Sequence, residues 1–128
     1  MTVSIARDCL ASLLGEAAAS PEREICGLLF GSAERIDAAI ATINVAPHSE
    51  DEFEIDPAAL IAAHRAERAG GPRLIGHYHS HPSGSAHPSA RDAAAAQPGR
   101  LWLILGGGEA MLWRAGATGF TPVSIAIR

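Results

Sequence analysis

Glycine and proline cut this chain into short segments, and that punctuation limits the folds open to it. Breaks fall at Pro21, Gly31, Asp56-Pro57, Gly70-Gly71, Pro82, Pro98-Gly99 and Gly106-Gly107-Gly108. No apolar run between them approaches the roughly 20 residues of a membrane span. Ser4 followed by Ile5, Cys9, Leu10, Leu13, Leu14 and Ala17 has helical spacing and reads as a capped amphipathic helix closing before Pro21. Ile25 to Phe30 and Ile36 to Val45 read as strands around the Gly31 turn. An acidic loop with Glu50, Asp51, Glu52 and Glu54 leads to Asp56-Pro57, a cap and first-turn proline for a helix ending near Ala69. Then come a strand from Arg73 to His81, a Pro/Ser/Gly/His loop over 82–88 and a helix from Ser89 to about Pro98. A hairpin of Leu101 to Leu105 with Ala110 to Trp113 and a last strand from Val123 to Ile127 complete the order. There is no βαβ rhythm, so the expected class is α+β, with a mixed, mostly antiparallel sheet flanked by helices.

Composition supports a packed domain. Of the 128 residues, 48% are apolar and 19% charged, which is the balance of a globular chain and not of a disordered one. A net charge of −4 argues against mainly electrostatic binding to nucleic acid. The first twenty residues lack a basic head before an unbroken apolar core, so no secretory signal is expected there and a cytoplasmic location is. Two isolated cysteines, Cys9 and Cys26, suit buried thiols in a reducing compartment.

The chemistry concentrates in one place. Four of the six histidines, His77, His79, His81 and His87, fall within eleven residues. Side chains at i and i+2 of a strand share a face about 6.6 Å apart, so His79 and His81 can converge on one metal ion. Asp92 follows one turn into the next helix, where its carboxylate can turn back as a third ligand. Three protein ligands plus water describe a catalytic zinc site, whereas structural sites usually have four protein ligands. The plainer alternatives are two surface histidines and, for Ser89-Ala90-Arg91-Asp92, a simple capping box. His77 shares the strand parity of His79 and His81 and could ligate in place of Asp92. His87 reads as a solvated loop residue, Ser80 as a structural hydrogen-bonding group and Cys26 as core.

These residues carry a resemblance. His79-Ser80-His81-Pro82, followed by Ser89-Ala90-Arg91-Asp92, resembles the H-S-H-x7-S-x2-D signature of the JAMM (MPN+) zinc metallopeptidases, in their small prokaryotic form. Glu24-Ile25-Cys26-Gly27-Leu28-Leu29-Phe30-Gly31 is similar to that family's E-x-C-G-L-L-x-G strand entry. Asn44, Phe53, Asp56-Pro57 and Gly76 agree with it. The resemblance implies a single MPN-like domain over residues 1–128. It implies His79, His81 and Asp92 as ligands of one zinc ion (Zn2+) with a bound water. Glu24 is implied as general base and then acid, and Ser89 as the donor to the oxyanion. Spacing alone does not single out Glu24 among fourteen acidic residues.

The implied activity is peptidase or isopeptidase cleavage at the C-terminal glycine of a ubiquitin-like or sulfur-carrier protein with a Gly-Gly tail. No nucleic acid or membrane partner is expected, and a homodimer stands beside the monomer as an assembly. The minimal length leaves no room for an inserted ubiquitin clamp. Two other readings are a non-catalytic MPN-type interaction module and a RadC-like DNA-associated protein, which shares the H-x-H-P-S-G loop. Retention of all five site positions argues against the first, and Ser80, the Glu24 segment and the acidic charge against the second. All ten basic residues are Arg. A coding bias is the simplest reason, and a protease of lysine-linked conjugates offering no lysine of its own is the sharper one.

Overall fold

A computed structural model describes residues 1–128. Seven strands and three helices follow in the order β1 (Thr2–Ile5), α1 (Arg7–Ala18), β2 (Cys26–Ser32), β3 (Arg35–Thr42), α2 (Pro57–Arg68), β4 (Leu74–Ser80), α3 (Ala90–Ala95), β5 (Leu101–Gly106), β6 (Glu109–Gly116) and β7 (Gly119–Ile127). The strands close into a barrel in the order β1-β3-β2-β4-β5-β6-β7. β1 runs parallel to both β3 and β7, and β4 runs parallel to β5. The pairings β2·β3, β2·β4, β5·β6 and β6·β7 are antiparallel. Mixed and mostly antiparallel is therefore the right description of the pairing, but the sheet is a closed ring.

The closing piece is where sequence reading and structure part. Ser4 does not cap the first helix. Ala6 is its N-cap, without a side-chain hydrogen bond, and residues 2–5 form β1 instead. Ile5 fits either pattern, lying four residues before Cys9 and two after Val3. The exposed edges of β3 and β7 decide between them, since β1 satisfies backbone groups on both sides. Val3 and Ile5 are then fully buried, at 0% and 1% exposure. The third helix is also shorter than expected, because Ala96 is already extended at ψ 134°. The second helix starts as expected, with the Asp56 carboxylate accepting from the Ala58 N–H at 3.1 Å and Pro57 in the first turn.

The main core joins Val3, Ile5, Leu13, Leu29, Tyr78 and Leu103 with six further buried residues. Gly27 is obligatory there, since a Cβ would lie 2.3 Å from the Tyr78 ring. A second cluster holds Ala86, Trp102, Ile104, Trp113 and Ala115, and a third packs Leu28 and Leu74 under Ala63 of α2. β4 sits between β2 and β5, pairing His79 with Cys26 on one side and Ile104 on the other. The histidine strand is thus held from both edges.

Candidate metal centre

His79 on β4 and His81, the first residue past its end, share one face, as a continuation of the strand period requires. Their Nε2 atoms lie 3.0 Å apart. Asp92 reaches back from the first turn of α3, with its Oδ2 3.2 Å from His79 Nε2 and 3.1 Å from His81 Nε2. The orientation of Asp92 follows from local chemistry. Ser89 Oγ accepts from the Asp92 N–H at 3.0 Å while Asp92 Oδ2 accepts from the Ser89 N–H at 2.9 Å, a reciprocal capping box. Capping and convergence on the histidines coexist in the same side chain.

Glu24, just before β2, joins the group: a carboxylate oxygen and the imidazole nitrogens of His79 and His81 lie within 4.8 Å of one another. Glu24, His79, His81 and Asp92 are all buried, between 0% and 8% exposed. Glu24 Oε1 has no hydrogen-bond partner. Burial lifts the Glu24 carboxyl to about 7, with His81 pulling the other way. Burial also opposes the Asp92 charge, but hydrogen bonds from His79, His81 and Ser89 outweigh it and hold that carboxyl well below its usual range. Burial pushes the His79 imidazole below its usual value, against the pull of Asp92.

The donor set suits a divalent metal. Three atoms 3.0–3.2 Å apart approach the edge of about 3.3 Å set by a tetrahedral zinc with bonds of about 2.0–2.1 Å. His81 Nδ1 lies 2.6 Å from the Ser85 carbonyl, which only accepts, so Nδ1 carries a hydrogen. His79 Nε2, His81 Nε2 and Asp92 Oδ2, 3.0–3.2 Å from one another, call for a cation or proton among them.

Two side chains without a role in the sequence reading organise this centre. Asn44 uses its whole hydrogen-bonding capacity: Nδ2 donates to the carbonyls of Glu24 (2.9 Å) and Glu52 (3.0 Å), and Oδ1 accepts from Ala46 and Glu54 N–H. Phe53, on the segment so anchored, stacks on His79 with ring centroids 4.2 Å apart and an 18° tilt. In the sequence both stand out only through the resemblance, and nothing in their spacing names their contacts. The acidic loop is partly structural, since Glu52 pairs with Arg91 of α3. His77 stays outside the donor group, packed against Trp102 and Phe53 at 4.3 and 5.4 Å; burial and His79 hold its pKa to about 3. Ser80 accepts from the Ile25 N–H at 2.9 Å, as a structural group should, and Cys26 is buried. His87 is exposed and lies beside Trp113. A cavity of about 310 Å³ borders Asp92 and runs between α2 and α3 past Phe53, His77, Trp102 and Leu60.

The sequence profile of the prokaryotic homologs of the JAB domain matches residues 6–116. The chain belongs to that family. The desampylase of Haloferax volcanii is 36% identical over 109 residues, covering 80% of this chain and 78% of that one. A probable TtuB-protein conjugate cleaving protease of Thermus thermophilus is 38% identical over 84 residues, or 66% of this chain and 56% of that one. A solution structure of a Desulfitobacterium hafniense protein has the same fold, with a TM-score of 0.83 at 25% identity over 100% of this chain and 93% of that one. The JAB-domain assignment bears out the resemblance drawn from the two motifs. No helix here is long and apolar enough to cross a membrane.

Proposed function

We propose that this protein is a zinc-dependent peptidase or isopeptidase that hydrolyses bonds at the C-terminal glycine of a ubiquitin-like or sulfur-carrier protein. The convergence of His79, His81 and Asp92 within 3.0–3.2 Å beside a buried, unpartnered Glu24 oxygen carries the reading. The substrate class is supported by the relative named for cleaving TtuB-protein conjugates.

In this reading His79, His81 and Asp92 hold one zinc ion. When bound, zinc supplies Lewis-acid polarisation of the scissile carbonyl and makes water acidic enough to attack near neutral pH. Glu24 takes the proton of the attacking water on its free oxygen and passes it to the leaving amine. A carboxyl lifted by burial is suited to both halves of that transfer. Ser89 Oγ accepts from the Asp92 N–H, which leaves its hydroxyl hydrogen for the carbonyl oxygen as negative charge develops there. The cavity beside Asp92 gives the substrate an apolar wall, and an extended Gly-Gly tail can approach because it carries no side chains to exclude. A reducing cytoplasm suits the two free cysteines.

The test is cleavage of a carrier protein fused through its Gly-Gly tail. Zinc-loaded protein should release the fusion partner, a chelator should stop it, and Glu24→Gln should not cleave. Equal cleavage by parent and Glu24→Gln, or no metal bound by the parent, overturns the mechanism.

A further inference from the structure

We infer that Trp113 and Gly106 are positioning residues that set the tautomer and aim of His81 by pinning the carbonyl of Ser85. The inference rests on the metal-centre reading and concerns how that centre is assembled. A neutral imidazole carries its hydrogen on either nitrogen, and only the Nδ1–H form leaves Nε2 a lone pair for a metal. In His81 the Nδ1–H form is favoured by one bond, 2.6 Å from Nδ1 to the Ser85 carbonyl, and opposed by Asp92 Oδ2, 3.1 Å from Nε2. Yet Ser85 lies in the 82–88 loop, outside any helix or strand, where no ladder of backbone hydrogen bonds fixes a carbonyl.

Two contacts from elsewhere in the barrel do the fixing. Trp113 on β6 donates its indole N–H to the Ala86 carbonyl at 3.1 Å, across a sequence separation of 27 residues. Ala86 is buried in the cluster that Trp113 helps to build. On the other side the loop lies flat on the end of β5. A Cβ at Gly106 would come 2.6 Å from the Ser85 carbonyl carbon and oxygen and 2.9 Å from the Ala86 nitrogen. The Ser85–Ala86 peptide is therefore caught between a hydrogen bond to Ala86 and a surface that tolerates no side chain. His79 has no such device, since its Nδ1 is buried without a partner and its ring is held by Phe53.

The experiment compares the parent with Trp113→Phe, which keeps an aromatic ring and removes the N–H, and with Gly106→Ala, which pushes on Ser85. Leu112→Ala, in the main core cluster, serves as a destabilised control. Zinc affinity is read by chelator competition, stability by melting of the zinc-free protein, and the His81 tautomer by imidazole ¹⁵N spectra at alkaline pH. The expected result is zinc binding weakened about 10–100-fold in Trp113→Phe, the usual effect of losing an outer-shell partner. His81 should shift away from the Nδ1–H form in the same variant, and Gly106→Ala should move both readouts in the same direction. Leu112→Ala should lower the melting temperature and leave both unchanged. Unchanged affinity and tautomer in Trp113→Phe overturn the inference, as does an equal loss of affinity in Leu112→Ala. A parent that binds no zinc overturns the metal-centre reading, while the tautomer spectra still judge the pinning of Ser85.

Discussion

Glu24 and Asp92 are two carboxyls of equal exposure, 6% each, beside the same pair of imidazoles. Their surroundings send them in opposite directions. Asp92 opens α3, receives the Ser89 N–H and faces both histidines, so its charge is compensated from three sides. Glu24 enters from the segment just before β2 with one oxygen unpartnered, and burial favours its protonated form. Side-chain chemistry is nearly the same in the two, so the difference is environmental: hydrogen bonds to the charged form on one side, uncompensated desolvation on the other. Opposed environments are how two carboxyls in one site take different tasks, one as a fixed ligand and one as a group that exchanges protons.

The largest expected effect separates those tasks. Glu24→Gln should lower kcat by about 10²–10⁴-fold while zinc affinity stays within a few-fold of the parent, measured on the same preparation. A matching fall in affinity would make Glu24 a ligand and end the distinction. Ser89→Ala should cost about 10²–10³ in kcat through loss of the oxyanion donor. It should also remove about 1 kcal/mol of stability through loss of the cap, a separate readout in denaturant titration. Its backbone N–H still serves Asp92, so zinc affinity should hold.

Metal linkage sharpens the Asp92 side. Free zinc at about 100 times its Kd should stabilise the parent by about 2.7 kcal/mol. Glu24→Gln should keep that gain in thermal melts and Asp92→Asn should lose it. The smallest effect is a pH dependence in the metal-free protein. Glu24 has a folded pKa raised from 4.5 to about 7, so its contribution to stability is full below about 4.5 and is lost as pH rises through about 7. Glu24→Gln should therefore melt a few degrees above the metal-free parent at pH 8, with the gap closing toward pH 4. A gap that instead widened on acidification would reverse the assignment.

Legibility followed the range of the interactions. The shared face of His79 and His81 needs only the strand period, and the backward turn of Asp92 needs only a capping box that spans four residues. The Asp56-Pro57 helix start is as local. β1 is ambiguous in the sequence because Ile5 satisfies two periods, and only the edges of β3 and β7, more than 25 residues away in sequence, choose between them. Glu24 could be picked from fourteen acidic residues only by resemblance. Its placement depends on Asn44 and on the Cys26–His79 pairing of β2 with β4, contacts that no spacing records.

The sequence by itself determined the short-range parts of this protein: the segment order from the first helix onward, the paired imidazoles and the carboxylate turned back by its own helix start. Those features repeat wherever the same dihedral preferences and caps recur. Tertiary structure decided the closure of the barrel, the meeting of Glu24 with the histidines, and the grip of Trp113 and Gly106 on the loop that orients His81. Each of these joins groups far apart along the chain. Their partners are set by which buried edges and polar atoms remain to be satisfied once the local elements have formed.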